Sequence, residues 1–138
     1  MSASALALVG YAAWALLLLG ATGAVRSGLV LSGKRAPNSF GQDGSDISPF
    51  ANRLTRAHAN CYENLPVAGV LVLVALVTGN APITDPLALW LLAARVAQSS
   101  IHIASTSNVA VQARFAFFLV QMLIQLYWAF SLLRAGLA

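Results

Sequence analysis

Residues 48–78 read SPFANRLTRAHANCYENLPVAGVLVLVALVT, a polar, arginine-bearing half that runs straight into an apolar half with no charge after Glu63. Ser48 can cap the free amides of a helix start, and Pro49 at the first helical position loses no hydrogen bond, so the spacing predicts a helix from 49 to about 78. At 1.5 Å per residue such a helix is roughly 45 Å long, more than the ~30 Å hydrocarbon core of a bilayer. One element therefore supplies both a membrane span and a polar end that projects from it. Pro66, inside the run, predicts a kink.

The flanking sequence extends the apolar half. No charge precedes Arg26, none lies between Asn64 and Thr84 or between Phe115 and Leu133, and Pro86 to Ser107 is interrupted only by Arg95. Each run approaches or exceeds the ~20 residues that span a bilayer. With 138 residues, of which 59% are hydrophobic and 9% charged, and a mean hydropathy of +0.76, four spans leave no room for a separate soluble domain. The expectation is an all-α integral membrane four-helix bundle forming a single domain over 1–138, with helices at about 4–31, 49–78, 86–107 and 109–134. Met1 to Val25 lacks a basic start and is too long for a signal peptide, so it reads as a retained helix. Gly79-Asn80-Ala81-Pro82 reads as a tight turn, and Asp85-Pro86 repeats the cap-then-proline signal for the third helix. Gly20, Gly23 and Ala24 offer small surfaces for close helix approach.

Charge placement speaks to topology. Arg26, Lys34, Arg35, Arg53 and Arg56 surround the first connection and Arg114 the third, whereas the second carries only Asp85. Basic loops stay in the cytoplasm, which places those two connections inside and both termini on the opposite side, with Arg134 the one dissenting charge. The net charge of +4 is dispersed and partly intrahelical, so it is no nucleic-acid footprint. Cys61 is the only cysteine and reads as a small apolar helix residue. Trp14, Trp90, Trp128, Tyr11 and Tyr127 read as interfacial anchors or lipid-facing filler.

At 100° per residue, Arg53, Arg56, Asn60, Glu63 and Asn64 share an arc of about 100° on the second helix, with His58 on roughly the opposite side. On the third helix, Arg95, Gln98, Ser99, His102, Ser105 and Thr106 share an arc of about 120°. Both stripes lie between the middle and the cytoplasmic end of the bundle. A charge at such depth costs from ~2.5 kcal/mol upward and faces the bundle interior, a partner or a water-filled cavity. Arg56–Glu63 and Arg95–Glu63 pairs could tie helices together. Alternatively the surplus of guanidinium donors over acids receives an anionic ligand. His58, His102 and Glu63 lack the spacing of a metal site, and no metal is expected. There is no glycine-rich phosphate loop, nucleophile elbow or cysteine pair.

The stretch Arg53-Leu-Thr-Arg56-Ala-His58-Ala-Asn60-Cys-Tyr-Glu63-Asn64-Leu-Pro66 resembles the helix 2 signature of the MAPEG superfamily, the membrane-associated proteins of eicosanoid and glutathione metabolism. Thr22-Gly-Ala-Val-Arg26, Ala94-Arg95-Val96 and the later Arg114 extend the resemblance over essentially the whole chain. It implies a homotrimer with glutathione sites between adjacent subunits, open to the cytoplasm. Position by position, Arg56, Asn60 and Glu63 would hold the tripeptide, His58 occupies a position polar in relatives, and Arg26 would reach the site from the neighbouring subunit. Arg95 matches a buried helix 3 arginine, and Arg114 resembles the arginine that stabilises the glutathione thiolate. Gln98 and His102 stand where relatives often carry tyrosines, and Phe115 where some carry serine. The implied activity is that of a glutathione-dependent transferase or peroxidase acting on lipophilic electrophiles. Its partners would be glutathione or a similar thiol, a lipophilic small molecule and the bilayer, with no nucleic acid. A non-catalytic lipid-binding or scaffold protein of the same fold is the alternative.

Overall fold

Serine caps set most of the helix starts. The structure, a computed structural model, describes residues 1–138. It contains α1 (Ala3–Leu31), α2 (Pro49–Val77), α3 (Ala81–Ala104) and α4 (Asn108–Leu137). The Ser2 side chain accepts from the Ala5 amide, Ser48 from Ala51 and Ser107 from Ala110, each satisfying a donor that the first turn leaves free. α2 continues unbroken through Pro66. All four helices are long and apolar enough to cross a membrane.

The third helix departs from the expected bounds at both ends. It begins at Ala81, more than a turn before Pro86, because Pro82 sits in the first turn, where no amide bond is lost. Asp85 does not cap its own helix: its carboxylate accepts the Ser4 amide at 2.9 Å, beside a Ser4–Thr84 hydroxyl contact at 2.6 Å, and so it pins the start of α1 to α3. At the other end Ser105 turns extended (φ −155°, ψ 152°), which stops α3 at Ala104 and frees Ser107 to cap α4.

α2 and α3 each pack against all three other helices, while α1 and α4 do not approach one another. Small residues line the seams, among them Ala7, Ala15, Ala68, Ala75 and Ala88. The closest approach falls at Gly10, where an added Cβ would stand 2.7 Å from Leu92 Cδ2. Gly20 and Gly23 meet nothing within 4 Å; the small surface between α1 and α3 lies a helical turn or more away from them. Two aromatics expected at the lipid face are interior instead. Trp128 is 0% exposed and Tyr11 1%, and the Tyr11 hydroxyl donates to the Cys61 carbonyl at 3.2 Å, giving the ring's polar tip a partner where no water reaches. Trp90 and Tyr127 do face outward.

The connection between α1 and α2 folds around Arg35. Its guanidinium pairs with the Asp46 carboxylate at 2.7 Å, donates to the Asp46 carbonyl and to Ser39, and lies over the Phe40 ring with 4.8 Å to its centroid. Asp46 also accepts the Gly41 amide at 2.9 Å. That amide, then Arg35, holds the Asp46 carboxyl below the usual carboxylate range. Gly44 has φ +74°, and a Cβ there would meet the Ala51 carbonyl oxygen at 2.8 Å, so only glycine lets the loop return this closely onto α2.

Candidate functional site

Helical spacing on α2, α3 and α4 converges on one cavity of about 280 Å³, lined by Arg56, Asn60, Gln98, His102, Arg114 and three apolar residues of α4. Asn60 Nδ2 lies 3.3 Å from His102 Nδ1. An amide nitrogen only donates, so the ring nitrogen accepts and the imidazole proton sits on Nε2. Gln98 accepts from Gln121 Nε2 at 2.9 Å, which leaves its own amide hydrogens for the cavity.

The electrostatics are one-sided. The chain's one ion pair is Arg35–Asp46, outside this cavity. Neither of the pairs that helical spacing allowed, Arg56–Glu63 and Arg95–Glu63, forms. Arg56 and Glu63 stand seven residues, or roughly 10 Å, apart along α2, and Glu63 is exposed on the open face of α2, whereas Arg95 is 1% exposed in the core. Arg95 donates to the Asn60 carbonyl at 3.2 Å and lies over the Tyr11 ring, 5.6 Å from its centroid. It thereby positions the α2 backbone behind the cavity and does not line it. Arg114 Nε is buried without an acceptor, so the cavity holds two guanidiniums and no carboxylate to meet them.

Arg53 of the α2 stripe and the other candidate site residues, His58 and Arg26, lie elsewhere in the single chain. Arg53 donates from Nε to the Ile103 carbonyl at 2.7 Å, satisfying an end carbonyl of α3. His58 is half-buried against the Tyr62 ring, with centroids 5.2 Å apart. Arg26 donates to the Gly41 and Gln42 carbonyls at 3.0 and 3.4 Å and lines a different cavity with Asn38 and Phe40.

A second cavity of about 290 Å³ runs between α2 and α4, lined by apolar side chains together with Asn64, Gln121 and Gln125. Phe118 lines both cavities, so the polar one at the end of the bundle adjoins the mostly apolar one beside its middle. Phe118, Gln121 and Gln125 escape a search for charge. Their signal is the pair of glutamines four residues apart in the uncharged run from Phe115 to Leu133, a spacing that puts both on one face.

Residues 4–134 match the model of the MAPEG family. No curated protein and no solved structure matches the chain.

Proposed function

The chain belongs to the MAPEG family, and from that premise we propose that this integral, multi-pass membrane protein is a glutathione-dependent transferase or peroxidase for lipophilic electrophiles. The observation that carries the reading is the cavity itself: Arg56 and Arg114 line it with Asn60, Gln98 and His102, and no acid neutralises them. Unmatched guanidiniums at membrane depth suit a ligand that brings carboxylates and a developing thiolate.

In this reading Arg56 and Asn60 hold the tripeptide through its carboxylates and amides. Arg114 faces the sulfur, where a cation lowers a thiol pKa from its ordinary ~8.5. Glu63, His58 and Arg26 join the site across a subunit boundary in a homotrimer, and the cavity faces the cytoplasm with both termini opposite. The lipophile enters from the bilayer along the groove between α2 and α4. In a conjugation the thiol proton passes to solvent, the sulfur lone pair forms the carbon–sulfur bond, and the leaving group departs with the bonding pair. Holding the two reactants in adjoining cavities makes the step effectively unimolecular.

Glutathione-dependent thiolate absorbance in detergent micelles tests the proposal. An enzyme of this kind shows a thiolate band that grows with glutathione and decays when an electrophile is added. Glutathione binding with no thiolate band at neutral pH would turn the protein into a scaffold or lipid-binding member of the family, and a thermal-shift screen of other low-molecular-weight thiols would identify a different native partner.

A further inference from the structure

The α2–α4 groove is not a plain slot for hydrocarbon. Gln121 and Gln125 both line it and are 1% and 9% exposed. Gln121 Nε2 is fully used, donating at 2.9 Å to both Gln98 and the Phe117 carbonyl, while its Oε1 is buried without a partner. Gln125, one turn deeper, makes no hydrogen bond in the protein although its amide borders the groove. It stands near the midpoint of α4, where hydrocarbon and not water surrounds the bundle. An amide that opens onto the groove there with no partner is costly, and a residue needing only to fill space would be leucine or methionine.

We propose that the groove selects lipophiles carrying a hydroxyl, carbonyl or amide group well along the chain from the reacting carbon, with Gln125 as the hydrogen-bonding residue. The proposal rests on the reading above for the occupant being the electrophilic substrate. Helix geometry sets the reach: Gln121 and Gln125 lie roughly 10 and 16 Å along α4 from Arg114, at 1.5 Å per residue. A molecule with its electrophilic end beside the thiolate passes Phe118 and brings its distal polar group to the Gln125 amide. The hydrogen-bonded link from Gln125's neighbour Gln121 to Gln98, which lines the polar cavity, makes one continuous wall of the two sites. Apolar side chains of a neighbouring subunit filling the groove would leave the Gln125 amide unsatisfied, which is why a small molecule with a polar group fits better.

The test uses the full-length protein in lipid nanodiscs with two probes, a straight-chain alkyl vinyl ketone long enough to reach Gln125 and the same ketone with a terminal hydroxyl. Wild type should favour the hydroxylated ketone in kcat/KM by on the order of tenfold, the worth of one net hydrogen bond in a dry site. Gln125→Leu should bring the ratio close to one. An equal ratio in wild type and Gln125→Leu overturns the proposal. A second arm needs no turnover: quenching of tryptophan fluorescence by a brominated long-chain alcohol against a brominated alkane of the same length. Preference for the alcohol that vanishes in Gln125→Leu supports the groove even if neither ketone reacts, in which case only the catalytic reading falls. No Gln125-dependent preference in either arm assigns the groove to a neighbouring helix and ends the proposal.

Discussion

Replacing Arg114 with alanine removes a cation whose Nε has no acceptor in the protein, so its effect should fall on the ligand's charge and not on the fold. The bound thiol's pKa should rise towards ~8.5, the value of an unperturbed thiol. Affinity measured at low pH, where the thiol is protonated in both proteins, should fall little. Arg56→Ala should do the reverse, weakening binding while the pKa of whatever thiol still binds stays nearly constant. A pH titration of bound-thiolate absorbance separates the two, and an unchanged apparent pKa in Arg114→Ala would reduce Arg114 to an anchor for the start of α4. At this scale the sequence was informative about which residues are polar at membrane depth and silent about which of them meet. Arg56, Asn60, Gln98, His102 and Arg114 line one cavity, whereas Arg95, on the same α3 stripe as Gln98 and His102, turns inward to Tyr11 and the Asn60 carbonyl. A helical wheel gives angle but not the depth at which the neighbouring helix stands.

Among the elements, the α1–α2 connection is held by a few side-chain bonds centred on Asp46, and those bonds make it sensitive to acid. Its carboxyl sits below the usual range because the Gly41 amide and then Arg35 stabilise the charged form. A depressed folded pKa contributes order that is fully present above the unfolded value of ~3.9 and is lost as pH falls through the lower folded value. Hydrogen exchange in residues 36–47, corrected for intrinsic rates, should therefore stay slow from neutral pH down to about 4 and quicken below it. Asp46→Asn should show the quickened exchange at neutral pH already; unchanged protection would assign the loop's order to its backbone bonds alone. At the end of the same connection, the Ser48 hydroxyl accepts the Ala51 amide at 3.0 Å. Ser48→Ala should cost ~0.5–2 kcal/mol, measured as a lowered thermal midpoint in detergent. That cap was legible from Ser48-Pro49, because capping is local. The similar Asp85-Pro86 signal misled for the same reason in reverse: Asp85 is claimed by Ser4, a residue remote in sequence.

For the whole molecule, the open face of α2 is the surface through which we propose that a trimer assembles. Glu63 is exposed near the middle of a helix that crosses the membrane, with Val70, Val74 and Val77 exposed farther along it. A carboxylate facing lipid at that depth costs ~2.5 kcal/mol or more, and a neighbouring subunit covering it removes the cost. Native mass spectrometry from mild detergent should show trimers, and monomers alone across a range of concentrations would dismiss this assembly. Glu63→Gln should lower glutathione affinity more than Cys61→Ala, since Cys61 is 0% exposed inside the protomer. Equal losses would mean that Glu63 serves packing and not the ligand.

Composition and periodicity by themselves determined that the chain is four apolar helices with a basic first connection and polar stripes at one end, because lipid tolerates little else: a spanning segment must satisfy its own backbone and carry few charges. The signature on α2 likewise pointed to the MAPEG family, which the match over residues 4–134 shows. Only the tertiary structure decided that Arg56 and Arg114 face the same cavity without an acid, that Tyr11 and Trp128 are core and not lipid-facing, and that Gln121 and Gln125 line a groove adjoining the polar cavity. The physical reason is that each of these depends on the rotation and depth of one helix against another. That arrangement is settled by side-chain packing between segments far apart in the chain, on which the periodicity of any single helix carries no information.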